Sequence, residues 1–322
     1  MIPKYQELED HRQVELSTTP FYHPILPLIK DGGRQIKDAL GYHRKFFKNP
    51  KGMCPSEGGV SNESFHLIAA NGFKWTATDN QILKKSCQGC SFGDLYKPYK
   101  FSNTDLVIFF RDKELADLIG FKYANMSPTD AVNDFFWHLY EIKNRIGEIN
   151  GDHVITIALD GENCWEYFSD DGHEFLNKLY QRFEDSLDFE TVLFSDIPTD
   201  NLKKLENIHA GSWINTNFDI WIGHPDKQNA WNFLNDTRDF LLRFKDHENF
   251  KKAQEEVYIA EGSDWFWWYG DDYSSNYDAE FDKLFRMHLK NVYLLLGIKV
   301  PEKLNEPILN YIQSKKDRQT YV

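Results

Sequence analysis

What most constrains this chain is a recurring unit: a short apolar run ending on a polar residue, then a loop, then a helix-like stretch. The runs are Val14–Thr18, Lys74–Thr78, Leu106–Arg111, Val154–Asp160 and Thr191–Ser195, with Gly52–Pro55 as a weaker member. Near-continuous apolar strands separated by amphipathic segments point to parallel strands covered on both faces. The runs end on Thr18, on Asp79, on Arg111 with Asp112, on Asp160 with Glu162, and on Ser195 with Asp196. In β/α barrels the C-terminal strand ends build the active site, so polar residues gathered there point to chemistry. The same residue types also cap the helices that follow, and the sequence leaves both readings open.

After about residue 200 the pattern turns helical. Asp226 suits an N-cap for a helix bearing Trp231, Leu234 and Leu241 at helical spacing. A second helix is predicted over Ala279–Leu296, stopped by Gly297, and a third from Pro301 to about Ser314. No repeat or flexible linker separates the halves. The expected architecture is a barrel-like α/β part over residues 1–200, packed against loops and a helical C-terminal region over 201–322.

Composition narrows the function classes. The 322 residues include 37 Lys+Arg against 50 Asp+Glu, a net charge of −13. Such a balance argues against a nucleic-acid partner, since no broad face would neutralise phosphates. No run of about 18 apolar residues exists to span a membrane. The opening MIPKYQELEDH lacks the apolar core of a secretory signal, so with only four cysteines a cytoplasmic location is expected. Aromatics are abundant, with 25 Phe, 16 Tyr and 9 Trp. A core absorbs many of these, and a sugar-binding groove would use the rest, because flat rings stack on the apolar faces of pyranoses. Cys87-Gln88-Gly89-Cys90 is read as a surface turn with reduced thiols in preference to a metal or redox site. The histidines show no metal-ligand spacing, and no phosphate loop or nucleophile elbow appears, so neither metal nor cofactor is expected.

Two acidic motifs follow strands. In Gly52-Met53-Cys54-Pro55-Ser56-Glu57-Gly58-Gly59, the Glu57 carboxylate sits among small residues that let a ligand approach the backbone. In Ile157-Ala158-Leu159-Asp160-Gly161-Glu162-Asn163-Cys164-Trp165-Glu166, a strand runs into three acids with an aromatic among them. Two carboxylates aimed at one cleft from different strand ends are what retaining glycoside hydrolysis needs. One attacks the anomeric carbon; the other protonates the leaving oxygen and later activates water, with the pair about 5 Å apart. Crowded acids also raise one pKa, which keeps an acid protonated near neutral pH.

These blocks, in this order, resemble glycoside hydrolase family 57, the α-amylase/4-α-glucanotransferase-like group. Gln13 through Pro24 looks like the family's second signature, Cys54-Pro55-Ser56-Glu57-Gly58 is similar to its third, and Asp160-Gly161-Glu162 to its fourth. Phe110–Phe121 and Glu261–Asp272 match further blocks of the amylase-like members. The resemblance implies a retaining α-glucan hydrolase or transglycosylase on an incomplete, seven-stranded (β/α) barrel with a helical C-terminal region. It implies Glu57 as nucleophile and Asp160 as general acid/base. Position 54 is Cys where the family usually has an aromatic.

Around these, Glu15, His23, Arg111, Glu162, Asp264, Trp265 and Trp268 are expected to shape the substrate site. Arg111 would orient the carboxylates or bind hydroxyls, with a structural ion pair as the alternative. His23 would bind sugar or pack in its loop, and the Trp265–Trp268 run would wall a subsite or fill a core. The family's first signature, a His-Gln-Pro-type motif on strand one, is absent, and six strands are counted instead of seven. The chain is therefore expected to be an N-terminally truncated member, inactive or weakly active unless a separate chain supplies the missing segment. A non-catalytic α-glucan-binding remnant is the rival expectation.

Overall fold

The structure is a computed structural model that describes residues 1–147, 153–161 and 163–308. It divides into two compact units: Met1–Thr18 with Leu40–Thr216, and Thr19–Ala39 with Asn217–Val322. This departs from the expected division at residue 200, because a short early segment belongs with the C-terminal helices.

The first unit is built on a five-stranded mixed sheet: β1 (Gly52–Met53), β2 (Trp75–Asp79), β3 (Tyr99–Phe101), β4 (Val107–Arg111) and β5 (Lys203–Leu205), in the order β1-β2-β4-β3-β5. β1, β2 and β4 run parallel, with Met53 opposite Thr76 and Asp79 opposite Arg111. β3 pairs antiparallel to β4 and parallel to β5. β2 and β4 consist of β-branched and aromatic residues apart from Ala77 and their last positions, and both are buried along their whole length. Between them, Trp75 and Phe109 meet Phe194 with ring centroids 4.4 and 4.5 Å apart.

Three expected strands are reduced. Val14–Thr18 pairs with the sheet only as a parallel bridge from Thr18 to Met53, and Val154–Asp160 only as one from Thr156 to Arg111. Thr191–Ser195 is irregular and enters a 3-10 turn at Phe194–Asp196, because Phe194 turns inward to pack. Conversely, β3 and β5 were not expected: they are three residues each, too short for a periodic signal. The sheet of the described residues is thus mixed and five-stranded, where an incomplete seven-stranded (β/α) barrel with six strands was expected.

Helices α1 (Ile2–Asp10), α2 (Gly32–His43, which crosses the unit boundary), α3 (Asn62–Ala70), α4 (Asn80–Ser86), α5 (Lys113–Asp117), α6 (Pro128–Ile146), α7 (Asn163–Glu166) and α8 (His173–Glu184) complete this region. Asp79 caps α4 by accepting from the Gln81 amide at 2.8 Å, and Asp112 caps α5 by accepting from Leu115 at 2.9 Å. Cys87 and Cys90, expected as reduced thiols, form a disulfide at the end of α4.

The second unit holds α9 (Asp219–Ile222), α10 (Pro225–Leu241), α11 (Phe250–Ala260), α12 (Ser263–Trp267) and α13 (Asp278–Leu295). Its core includes Trp231 stacked on Phe266 at 3.8 Å. The cap of α10 is His224, whose Nδ1 accepts from the Asp226 amide; Asp226 itself is buried in the first turn. After Pro301 the described chain makes only a 3-10 turn, Glu302–Leu304, and the rest of the expected third helix lies outside the described residues. No helix among the described residues is long and apolar enough to cross a membrane.

Candidate active site

Because β1, β2 and β4 are parallel and Thr156 pairs parallel to Arg111, all four segments end on one edge of the sheet. Glu57 lies four residues past Met53 and Asp160 four past Thr156, so both candidate carboxylates leave that edge. The ends of β2 and β4, Asp79 and Arg111, lie between them.

Local backbone geometry sets the half-buried Glu57 on a tight turn. Its φ is +56° and that of Gly58 is +59°, the left-handed region. Gly58 is required twice over: a Cβ there would meet the Trp213 ring at 3.2 Å in an already strained conformation. The turn is held on both sides. Thr78 Oγ1 donates to the Gly58 carbonyl at 2.7 Å, and the Trp213 amide donates to the Glu57 carbonyl at 3.1 Å. An antiparallel bridge between Val60 and Gly211 brings the Trp213 segment alongside.

Trp213 then joins the two edges of the site. Its Nε1–H donates to Glu57 Oε2 at 2.9 Å, and the Arg111 guanidinium lies 4.5 Å over its ring. Arg111 in turn donates through Nε to Asp79 Oδ2 at 2.8 Å and through Nη1 to the Ala158 carbonyl at 3.2 Å. The chain Glu57–Trp213–Arg111–Ala158 therefore runs from one candidate carboxylate to the backbone two residues before the other. Asp79 is fully buried; burial pushes its carboxyl pKa up, and the Arg111 charge opposes that shift. Asp79 thus caps a helix and also holds the Arg111 guanidinium.

Glu15 lies elsewhere. Its carboxylate accepts from Trp75 Nε1 at 2.8 Å, from the Ser195 amide at 3.0 Å and from the Ser195 hydroxyl. Trp75 opens β2, so this carboxylate sits at the opposite edge from Asp79, which departs from the expected grouping with Glu57. Glu162 lies outside the described residues. Cys54 is exposed, its Sγ 3.7 Å from Ser17 Oγ. Trp165 packs on Phe168 and against Gly172.

His23, Asp264, Trp265 and Trp268 belong to the second unit. The His23 carbonyl accepts from the Ser263 amide at 3.1 Å, and Asp264 is exposed. Trp265 donates Nε1–H to the Ile259 carbonyl at 2.8 Å and packs against Phe281, Phe285 and His288. Trp268 also faces Phe281. The same unit buries Glu261, whose Oε2 accepts from Gln35 Nε2 at 2.9 Å; burial raises its pKa to about 7.

The sequence reading missed Trp213 as a site residue and left Asp79 a mere strand end. Trp213 stands 156 positions from Glu57 in a segment without strand or helix periodicity, so no local signal marks it. Among the described residues no group of three His, Cys, Asp or Glu could hold a metal ion.

A family model described as glycosyl hydrolase family 57 matches residues 1–208. No curated protein matches the chain. Among solved structures, it is similar to a GH57-type branching enzyme from Pyrococcus horikoshii, with TM-score 0.72 and 15% identity over 95% of this chain and 74% of that one. It is similar to the α-amylase AmyC from Thermotoga maritima, with TM-score 0.71 and 14% identity over 94% and 71% of the two chains. A 4-α-glucanotransferase from Thermococcus litoralis gives TM-score 0.70 and 17% identity, covering 90% of this chain and half of that one (50%).

Proposed function

The chain belongs to glycosyl hydrolase family 57, and from that premise we propose that it cleaves or transfers α-glucosidic bonds by double displacement at Glu57 and Asp160. Glu57 Oε1 attacks the anomeric carbon while the proton of Asp160 passes to the departing glycosidic oxygen. The product of this step is a glycosyl ester on Glu57 and a free sugar hydroxyl. Asp160, now a carboxylate, takes a proton from water or from an acceptor hydroxyl, whose oxygen displaces Glu57 and restores both groups.

The observation that carries this reading is the bond from Trp213 Nε1 to Glu57 Oε2 at 2.9 Å. It fixes the orientation of the carboxylate before attack, and it steadies the carboxylate again when the ester breaks. Arg111, stacked on the same indole and bonded to the Ala158 carbonyl, ties the nucleophile's support to the strand end that carries Asp160. The reading uses residues of the first unit alone.

The test is release of reducing sugar from maltoheptaose by the full chain, with Glu57→Gln and Asp160→Asn as variants. Turnover by the parent chain and a loss of about a thousandfold or more in each variant support the assignment. Turnover retained in either variant overturns the assigned roles. Saturable binding of maltoheptaose without turnover in the parent chain would instead establish the non-catalytic α-glucan-binding reading.

A further inference from the structure

The chain from Lys203 to Trp213, which carries the indole donor to Glu57, is anchored on either side of one disulfide. At its start, the Lys203 ammonium of β5 pairs with Asp94, four residues past Cys90. Further on, the His209 amide donates to Ser86 Oγ at 2.8 Å, and Ser86 immediately precedes Cys87. Ser86 is itself held on α4 by donating to the Ile82 carbonyl at 2.7 Å. From His209 the chain reaches Gly211, which pairs with Val60, and then Trp213. The Cys87–Cys90 bond sets the spacing of the two anchors, with its Cα atoms 5.7 Å apart. A third anchor, the Ile208 amide on Asn62 Oδ1 at 2.8 Å, lies on α3 and does not depend on the disulfide.

We propose that Cys87 and Cys90 form a reversible redox pair, opened by a dithiol, whose state sets how firmly Trp213 is held against Glu57. The effect on turnover rests on the double-displacement reading above; the redox pair itself does not. The bond is within reach of solvent. Both cysteines are half-buried, Gln88 and Gly89 between them are exposed, and a side chain at Gly89 would meet nothing within 4 Å. Exposed disulfides are the labile ones. A bond closing so short a loop also constrains the unfolded chain little, so it acts on local geometry more than on global stability. In the exchange, one thiolate of the dithiol attacks a cysteine sulfur, the Sγ–Sγ bond breaks, and the other sulfur leaves as a thiolate that takes a proton from water. The second thiolate of the dithiol then displaces the bound cysteine, which is protonated in turn. Two electrons pass to the cysteine pair, and the reductant departs as its own disulfide.

Three measurements compare the folded full chain in reduced dithiothreitol and in its oxidised cyclic form. Iodoacetamide is expected to label Cys87 and Cys90 only after reduction, and reoxidation should restore the bond. Amide exchange over His209–Trp213, read by mass spectrometry, is expected to speed up about tenfold on reduction. On maltoheptaose, kcat is expected to fall about three- to tenfold with little change in KM. The Cys87→Ser/Cys90→Ser double variant keeps Cys54 and Cys164, and it should exchange like the reduced chain and ignore dithiothreitol. A response to dithiothreitol that survives in that variant belongs to another cysteine and overturns the proposal. Absence of labelling after reduction makes the disulfide an inert staple and overturns it too. Labelling with unchanged exchange at His209–Trp213 overturns the link to Trp213, and faster exchange with unchanged kcat overturns the control of turnover. A chain without turnover in either state overturns the catalytic reading and that control with it, while labelling and exchange decide the redox pair separately.

Discussion

Trp213 donates its indole N–H to the Glu57 carboxylate across 2.9 Å, although 156 residues separate them. The donor belongs to a segment that bridges antiparallel to Val60, so the indole is placed by backbone pairing and not by its side chain alone. The same ring supports the Arg111 guanidinium at 4.5 Å. One aromatic side chain thereby sets both the orientation of the candidate nucleophile and the position of the cation behind it.

Trp213→Phe keeps an aromatic face for Arg111 and removes the donor to Glu57. A hydrogen bond to a charged group is worth about 1.5–3 kcal/mol, so kcat on maltoheptaose is expected to fall about ten- to a hundredfold. KM should change much less. A Trp213→Phe chain with parental kcat would show that the bond does not support catalysis.

Removing Asp79 strands a buried cation. The Arg111 and Asp79 side chains are 9% and 0% exposed, so solvent does little to screen what is left behind. Asp79→Ala is expected to cost about 3–5 kcal/mol of folding stability, read as a lower urea midpoint at unchanged slope. A loss below about 1 kcal/mol would mean that water or another anion reaches Arg111.

Glu15 separates stability from substrate handling. Its three bonds tie Trp75 at the start of β2 to Ser195, where the chain turns inward at Phe194. Glu15→Ala is expected to lower stability by about 1–3 kcal/mol and to leave kcat/KM within about twofold of the parent. A large rise in KM without loss of stability would return Glu15 to the substrate site.

Glu261 gives a pH signature. Burial raises its folded pKa from 4.5 to about 7, while the unfolded chain keeps the lower value. Between these values the folded state binds more protons than the unfolded one, so stability falls as pH rises from about 4.5 and the loss is complete above about 7. The shift corresponds to about 3 kcal/mol. Glu261→Gln, which is neutral throughout, should therefore gain on the parent chain across this window, measured as the difference in urea midpoint at pH 5 and pH 8. A difference that does not grow with pH would contradict the raised pKa.

Much of the sheet was legible because its strongest strands carry their own signal. β2 and β4 are runs rich in β-branched and aromatic residues and buried on both faces, and such runs show in sequence whatever lies beside them. The α13 helix was placed to within one residue at each end, with Gly297 past its end at a φ of +68°. β3 and β5 were not legible, since three-residue strands, one of them Lys203-Lys204-Leu205, depend on a neighbour to be strands at all. The Thr191–Ser195 run misled for the converse reason: its apolar residues are there to insert Phe194 between Trp75 and Phe109, which a turn does as well as a strand.

The sequence by itself determined the family, the parallel strands of the sheet and the positions of Glu57 and Asp160 past strand ends. These follow from local periodicity and from motifs contained within a dozen residues. Only the tertiary structure decided which side chains lie against Glu57 and which lie elsewhere. It brought Trp213 to Glu57, set Arg111 between the two strand ends, and turned Glu15 to the opposite edge beside Trp75. Such pairings span 47 to 156 residues, and a hydrogen bond across that distance is set by how strands register and loops close, not by the residues flanking either partner.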